Sequence, residues 1–356
     1  MRFNQKIQMN FFEYIICKTY KSVKTLFYLI LIATGLLNYS CTNSKQEADI
    51  SDILVDMKFF RFDSSLYVLD PLDIEKKIPS LENRYGKFYD LFNYELIQIG
   101  GTDNPAYSEY FRSFLTDYVV NQSLQKTHEE FSDINWLKND VTKAFRYYKY
   151  YFPEKQIPDV YTFITGFNNS IVTAENILGI GLDKYLGSDY DLYPELGFPL
   201  YKIRFMIPEK IPVDCMRGWV ISEFPLPDST SNLLSNLIYQ GKILYISKLT
   251  MPEVADTLLF GFTGAQMNFV NNNEKQMWSF LVENKLLFST DYLIISKYVN
   301  EGPFTREFTR ESPGQAVNWI GYKITGDYMN NSGASIEALM NNNDYTHILA
   351  VSKYNP

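Results

Sequence analysis

The chain has 356 residues, 46% of them apolar and 21% charged, and a formal net charge of −8. That is enough apolar material for a sizeable core. The acidic balance argues against nucleic acid as a partner, because phosphate backbones repel such a surface.

Residues 1–40 read as a signal peptide. Lys18, Lys21 and Lys24 form a basic stretch, and Leu26 to Leu37 form an apolar run. That run is too short to span a bilayer and has the length of a signal-peptide core. Cys41 follows in "LLNYSC", with the small residue Ser40 before it and Asn38 and Tyr39 departing from a strict lipobox. Cys41 is therefore the expected lipidation site, and its acyl chains the expected membrane attachment. Loss of residues 1–40 removes five basic side chains and one acidic one, taking the net charge from −8 to −12. Residues 41–53 read as the lipidated cysteine and a polar tether, and residues 54–356 as one domain. Of the other cysteines, Cys17 lies in the leader and Cys215 stands alone. No intramolecular disulfide is expected, and Cys215 reads as a small buried hydrophobe.

From Leu54, "LVDMKFFRF" alternates as a strand does, with Val55, Met57 and Phe59 on one side. Residues 81–98 have helical spacing through Tyr85, Phe88, Phe92 and Leu96. A second helix is expected after Pro105, and a third over "INWLKNDVTKAFRYYKYYFP", ended by Pro153. A β section spans about 158–182, broken by Asn-Asn and Glu-Asn turns. Helices resume with "VDCMRGWVISEF", then 231–248, 253–270 and 274–288. Ser312, Pro313 and Gln315 have the spacing of a capping box and predict a helix over 312–329. Its buried stripe is Val317, Ile320, Gly321, Ile324 and Tyr328. "THILAVSKY" reads as a closing strand or extended tail. The fold class is α+β: a mostly helical single domain with a small sheet.

The chain has two histidines, His128 and His347. "THEEFS" at 127–132 opens like the zinc signature H-E-x-x-H, but Ser132 stands where the second histidine belongs. Ligands one helical turn apart share a face, and a hydroxyl is a poor zinc ligand. The segment reads as a polar link between two helices. A serine or cysteine triad needs a histidine base, no G-x-S-x-G elbow occurs, and no phosphate-binding G-x-x-x-x-G-K-[ST] loop occurs. "GIGLDKYLG" lacks the spacing of such a loop and reads as a strand and turn.

Several stretches together resemble the gliding-motility lipoprotein GldB family. They are "FFRFDSSLYVLD", "IPDVYTFITGFN", "GIGLDKYLGSDYDLY", "QGKILYI", "ENKLLFSTD", "ESPGQAVNWIGYKITGDYM" and the ending "ILAVSKYNP". The family in turn is distantly similar to predicted zinc peptidases, in which a sheet precedes an H-E-x-x-H helix and a Glu-Gly on the next helix supplies the third ligand. The resemblance thus implies a degenerate zincin-like metallopeptidase fold. Here "CMRGWVISEF" has no histidine, and Gln240-Gly241 stands in place of Glu-Gly. A neutral amide removes charge that a divalent cation favours.

No catalytic residue, metal or cofactor is therefore expected. A peptide-binding groove, retained without cleavage, is expected near Glu223, Gln240 and Lys242, with Ser312, Pro313 and Gly314 as further candidates. The resemblance implies a cell-envelope protein that acts through contacts with other envelope or motility proteins. Two other readings are a divergent metal-dependent hydrolase and a solute-binding lipoprotein with an aromatic-lined pocket.

Overall fold

The computed structural model describes residues 48–227 and 232–356, and Ala48–Pro356 forms one unit. The signal peptide, Cys41 and the start of the tether lie outside the described residues. The N-terminal stretch turns at Ser51–Asp52 and is held there by Arg146, whose guanidinium donates to the carbonyls of Ile50 (2.5 Å), Ser51 (3.0 Å) and Ile53 (2.8 Å).

Four short strands form one sheet in the order β1-β2-β4-β3: β1 Phe59–Arg61, β2 Asp159–Phe163, β3 Ile171–Ala174 and β4 Ile177–Gly181. The β1–β2 and β2–β4 pairs are parallel, and β3 runs antiparallel to β4 at the edge. Successive side chains on a strand point to opposite faces, and here the two faces enter different cores. Phe59, Val160, Ile171, Leu178 and Ile180 join the larger core. Phe60, Tyr161, Phe163, Val172 and Ile177 join the smaller one. The sheet is the wall between them.

The smaller core is built from the N-terminal helices: α1 Phe62–Tyr67, α2 Ile74–Tyr85, α3 Lys87–Leu91, α4 Tyr107–Thr116 and α5 Tyr118–Glu130. It is strongly aromatic. Phe62 meets Tyr85, Phe88, Tyr89 and Phe92 edge-on, and Tyr161 stacks on both Phe60 (4.8 Å) and Phe88 (4.5 Å). Such pairs add about 0.5–1.5 kcal/mol each beyond the area they bury. The helix expected over 81–98 is broken at Gly86, whose φ of +48° ends α2, and it closes in a π turn over Phe92–Leu96. The expected strand stops at Arg61, because Asp63 turns inward. Its buried carboxylate takes the Arg61 guanidinium at 2.6 Å and the Thr162 hydroxyl.

The larger core holds α6 Asn135–Tyr151, α7 Ile211–Glu223, α8 Leu233–Thr250 and the C-terminal helices. These are α9 Asp256–Phe260, α10 Gly264–Asn272, α11 Glu274–Glu283, α12 Tyr292–Val299, α13 Val317–Ser332, α14 Ile336–Asn341 and α15 Tyr345–Ser352. At its centre α8 crosses α13 backbone against backbone. A Cβ on Gly241 would lie 2.1 Å from the Gly321 carbonyl, and one on Gly321 would lie 1.7 Å from the Leu237 oxygen. Only glycine at both positions permits that approach.

The helix expected over 253–270 is two, α9 and α10, and other expectations change as well. The capping box at Ser312 is not formed: α13 starts at Val317, and the Ser312 hydroxyl is buried against Thr305 and Thr309. Gln315 takes φ +58° and donates to the Val299 carbonyl at 2.6 Å. The C-terminal "THILAVSKY" is helical, not a strand, with Asp344 capping the His347 N–H at 2.8 Å. Finally, most of "THEEFS" is helical, because α5 runs through Glu130 and the link to α6 is only Phe131–Ile134. Asp117 caps its start, and Val120, Ser123, Leu124 and Thr127 bury one face.

Candidate functional site

The sheet order leaves β3 as an edge, and α7 lies along it. Pro212 sits in the first turn of α7, where its missing N–H costs nothing. Gly218 brings the helix onto the strand: a Cβ there would meet the Ile171 side chain at 2.7 Å. Two hollows flank this contact. Towards the end of α7, Trp219, Ser222 and Glu223 face Thr173–Asn176 and Lys155 across a hollow of about 500 Å³. Towards its start, Asp214 and Arg217 face a cavity of about 470 Å³ that is also lined by Ser170, Pro313 and Gly314.

Asp214 and Glu223, the α7 carboxylates of the two hollows, are already engaged. Asp214 accepts from the buried Lys210 ammonium at 2.5 Å on one oxygen and from the Tyr185 hydroxyl at 3.0 Å on the other. Burial holds the Tyr185 phenol well above its usual range, with the Asp214 charge adding to the effect, so the phenol stays a donor. Glu223 pairs with Lys155 at 2.9 Å, and that lysine also lies 4.8 Å from the centre of the Phe224 ring. In each pair the lysine ammonium already supplies the positive charge that would otherwise favour a metal ion beside the carboxylate.

The other expected site residues do not share one groove. Gln240 is half-buried on α8 without a hydrogen-bond partner among the described residues. Lys242, on the same helix, is buried and donates to the Asn342 carbonyl at 2.5 Å, 5.0 Å from the Tyr345 ring centre. Burial pushes its pKa down to about 8. Ser312 is interior, while Pro313 and Gly314 line the cavity at the start of α7. The two histidines serve separate surroundings. The His128 ring stacks on Tyr67 at 3.7 Å, and His347 is exposed on α15. Among the described residues no group of three His, Cys, Asp or Glu side chains is placed to hold a metal. Cys215 is fully buried, and burial raises its thiol well above the usual range.

The residues missed from the sequence are Tyr185, Lys210, Asp214 and Arg217. A signal was present: Lys202, Arg204, Lys210 and Arg217 make a locally basic run in an acidic chain, and Lys210 and Asp214 stand one helical turn apart. A model of the family described as gliding motility protein GldB matches residues 43–356. The chain belongs to the GldB family. The match takes in both hollows and both cores.

The stretches that carried the GldB resemblance touch one another in the fold. Asp183, from "GIGLDKYLG", accepts the N–H groups of Thr165 (2.9 Å) and Phe167 (2.8 Å) in "IPDVYTFITGFN". The Lys184 ammonium donates to the Phe167 carbonyl at 3.1 Å. Gly241, from "QGKILYI", lies against Gly321 of α13, in "ESPGQAVNWIGYKITGDYM". No curated protein and no solved structure matches the chain. Among the described residues no helix is long and apolar enough to cross a membrane.

Proposed function

We propose that this GldB-family protein is a non-enzymatic, lipid-anchored envelope component of gliding motility. It is held to the membrane through acylated Cys41 and acts by contact with other envelope or motility proteins. Family membership supports the link to gliding motility. The observation that carries the non-enzymatic part is the state of the polar groups between β3 and α7. Asp214 is occupied by Lys210 and Tyr185, Glu223 by Lys155, and the helix that follows offers the neutral Gln240. The hollow beside Glu223 borders an edge strand, a geometry that receives extended segments of other proteins by adding a strand.

Two experiments test the reading. Crosslinking the native lipoprotein in its own membranes, followed by pull-down, is expected to recover other envelope proteins, and Thr173→Pro on the edge strand is expected to reduce that yield. Cys41→Ala is expected to abolish acyl labelling and release the protein from membranes. Stoichiometric zinc that is lost in His128→Ala would overturn the non-enzymatic reading, and retained labelling in Cys41→Ala would overturn the anchor.

A further inference from the structure

The cavity at the start of α7 carries a charge opposite to that of the chain around it. Five cationic side chains line it, against two carboxylates. Both carboxylates are spent, Asp214 on Lys210 at 2.5 Å and Glu301 on Lys202 at 2.6 Å. Lys184, Arg204 and Arg217 remain. Lys184 donates once, to the Phe167 carbonyl, and lies 4.3 Å from the centre of the Phe198 ring at the cavity wall. Neither guanidinium has an acceptor among the described residues, although Arg217 is half-buried.

A guanidinium carries five N–H donors, and a partly desolvated one without an acceptor is costly. The like charges also act on one another. Burial lowers the pKa of Lys210, and Arg217 pushes it further down. Burial likewise lowers that of Lys184, and Lys202 pushes the same way. A fold does not gather cations around an open space without cost, and an anion in that space removes the cost. Four phenylalanines, Phe198, Phe205, Phe260 and Phe262, also line the cavity. A bare inorganic ion would leave those rings uncovered. The volume of about 470 Å³ is that of an ordinary small-molecule site.

We propose that this cavity binds an organic oxyanion, a carboxylate or phosphate monoester with an apolar or aromatic body, whose head is held by Arg217 and Arg204 and whose body lies against Phe198 and Phe260. The site does not depend on the anchoring or motility reading, since it uses neither Cys41 nor the edge of β3.

The test is calorimetric titration of the full-length protein in detergent with four probes: 3-phenylpropionate, phenyl phosphate, inorganic phosphate and the neutral 3-phenylpropanol. At least one aryl anion is expected to bind and to weaken as salt rises, with the better of the two identifying the head group. Inorganic phosphate is expected to bind at least about tenfold more weakly, and the alcohol not to bind. Arg217→Gln is expected to weaken the aryl anion by about tenfold or more. Arg204→Gln, on the exposed rim, is expected to act in the same direction without touching the fold, so a misfolded Arg217 variant still leaves a decisive result. Lys126→Gln, on the outer face of α5, is expected to change nothing. The proposal is overturned if neither aryl anion binds at concentrations of order 10 mM. It is equally overturned if the alcohol or inorganic phosphate binds as tightly as the aryl anions, or if both arginine variants bind like the parent.

Discussion

Gly321→Ala tests whether the crossing of α8 and α13 organises the larger core. The new methyl carbon would stand 1.7 Å from the Leu237 oxygen and 2.6 Å from its carbonyl carbon. Ordinary contact begins near 3.4 Å, so the helices must separate by about 1.5 Å. Along this seam Leu237, Ile238, Ile320 and Ile324 are all buried. A gap of about 0.5–1 Å already forfeits a quarter to a half of a contact, and this one is wider. Overpacking of this kind costs about 1–3 kcal/mol, and opening the seam adds to it, for a gross loss of about 3–5 kcal/mol. Alanine returns about 1 kcal/mol of helix propensity, leaving a net loss of about 2–4 kcal/mol. Gly326→Ala, on the same helix, is the control, because its Cβ would meet only Tyr245, at 4.0 Å. It is expected to be neutral or stabilising by up to about 1 kcal/mol. Urea denaturation followed by circular dichroism reads both. The reasoning fails if Gly321→Ala lies within about 0.5 kcal/mol of the parent, or if the two variants lose stability equally.

Burial raises the carboxyl of Asp183 from 3.8 to about 6. The folded state therefore binds the proton more tightly than the unfolded one, and stability from this group is full below about pH 4 and lost as pH rises through about 6, by about 3 kcal/mol in all. Asp183→Asn keeps an acceptor for Thr165 and Phe167 and is expected to flatten that stretch of a stability-against-pH curve. Lys242 is the opposite case: its pKa is lowered to about 8 in the fold, so stability is expected to rise as pH climbs from about 8 towards 10.5. Lys242→Met should abolish that rise and be close to neutral at pH 7, since losing the hydrogen bond to the Asn342 carbonyl is offset by no longer burying an ammonium. Arg146→Ala removes three hydrogen bonds to the N-terminal stretch and is expected to speed hydrogen exchange in residues 50–58, with a stability loss of about 1–3 kcal/mol.

Helices that bury a periodic stripe were legible in the sequence. The stripe of α13, Val317, Ile320, Gly321, Ile324 and Tyr328, is buried where its spacing places it. What misled were local signals answered by distant partners. Ser312 has capping-box spacing, but Thr305, seven residues upstream, claims its hydroxyl. "THILAVSKY" is rich in β-branched residues, yet Asp344 caps it and Tyr345 and Ile348 face the core at helical spacing. "THEEFS" is polar enough for a link, but Thr127 is buried, and His128 is covered by Tyr67 from another helix. The site was legible only in part. Pro313 and Gly314 border the cavity, but the arginines opposite them come from separate elements, and no spacing along the chain announces that they converge.

The grip of Arg146 on residues 50–53 sets a length. Eight residues separate Cys41 from Ile50. Fully extended, that connection spans about 30 Å, since each residue adds at most about 3.5 Å. An acyl group on Cys41 would thus keep the folded body within roughly one domain diameter of the bilayer. With that anchor in place a partner would have to come down to that shallow layer, and a longer leash made by inserting residues at 44–46 would change the height at which contacts form without altering the surface that makes them.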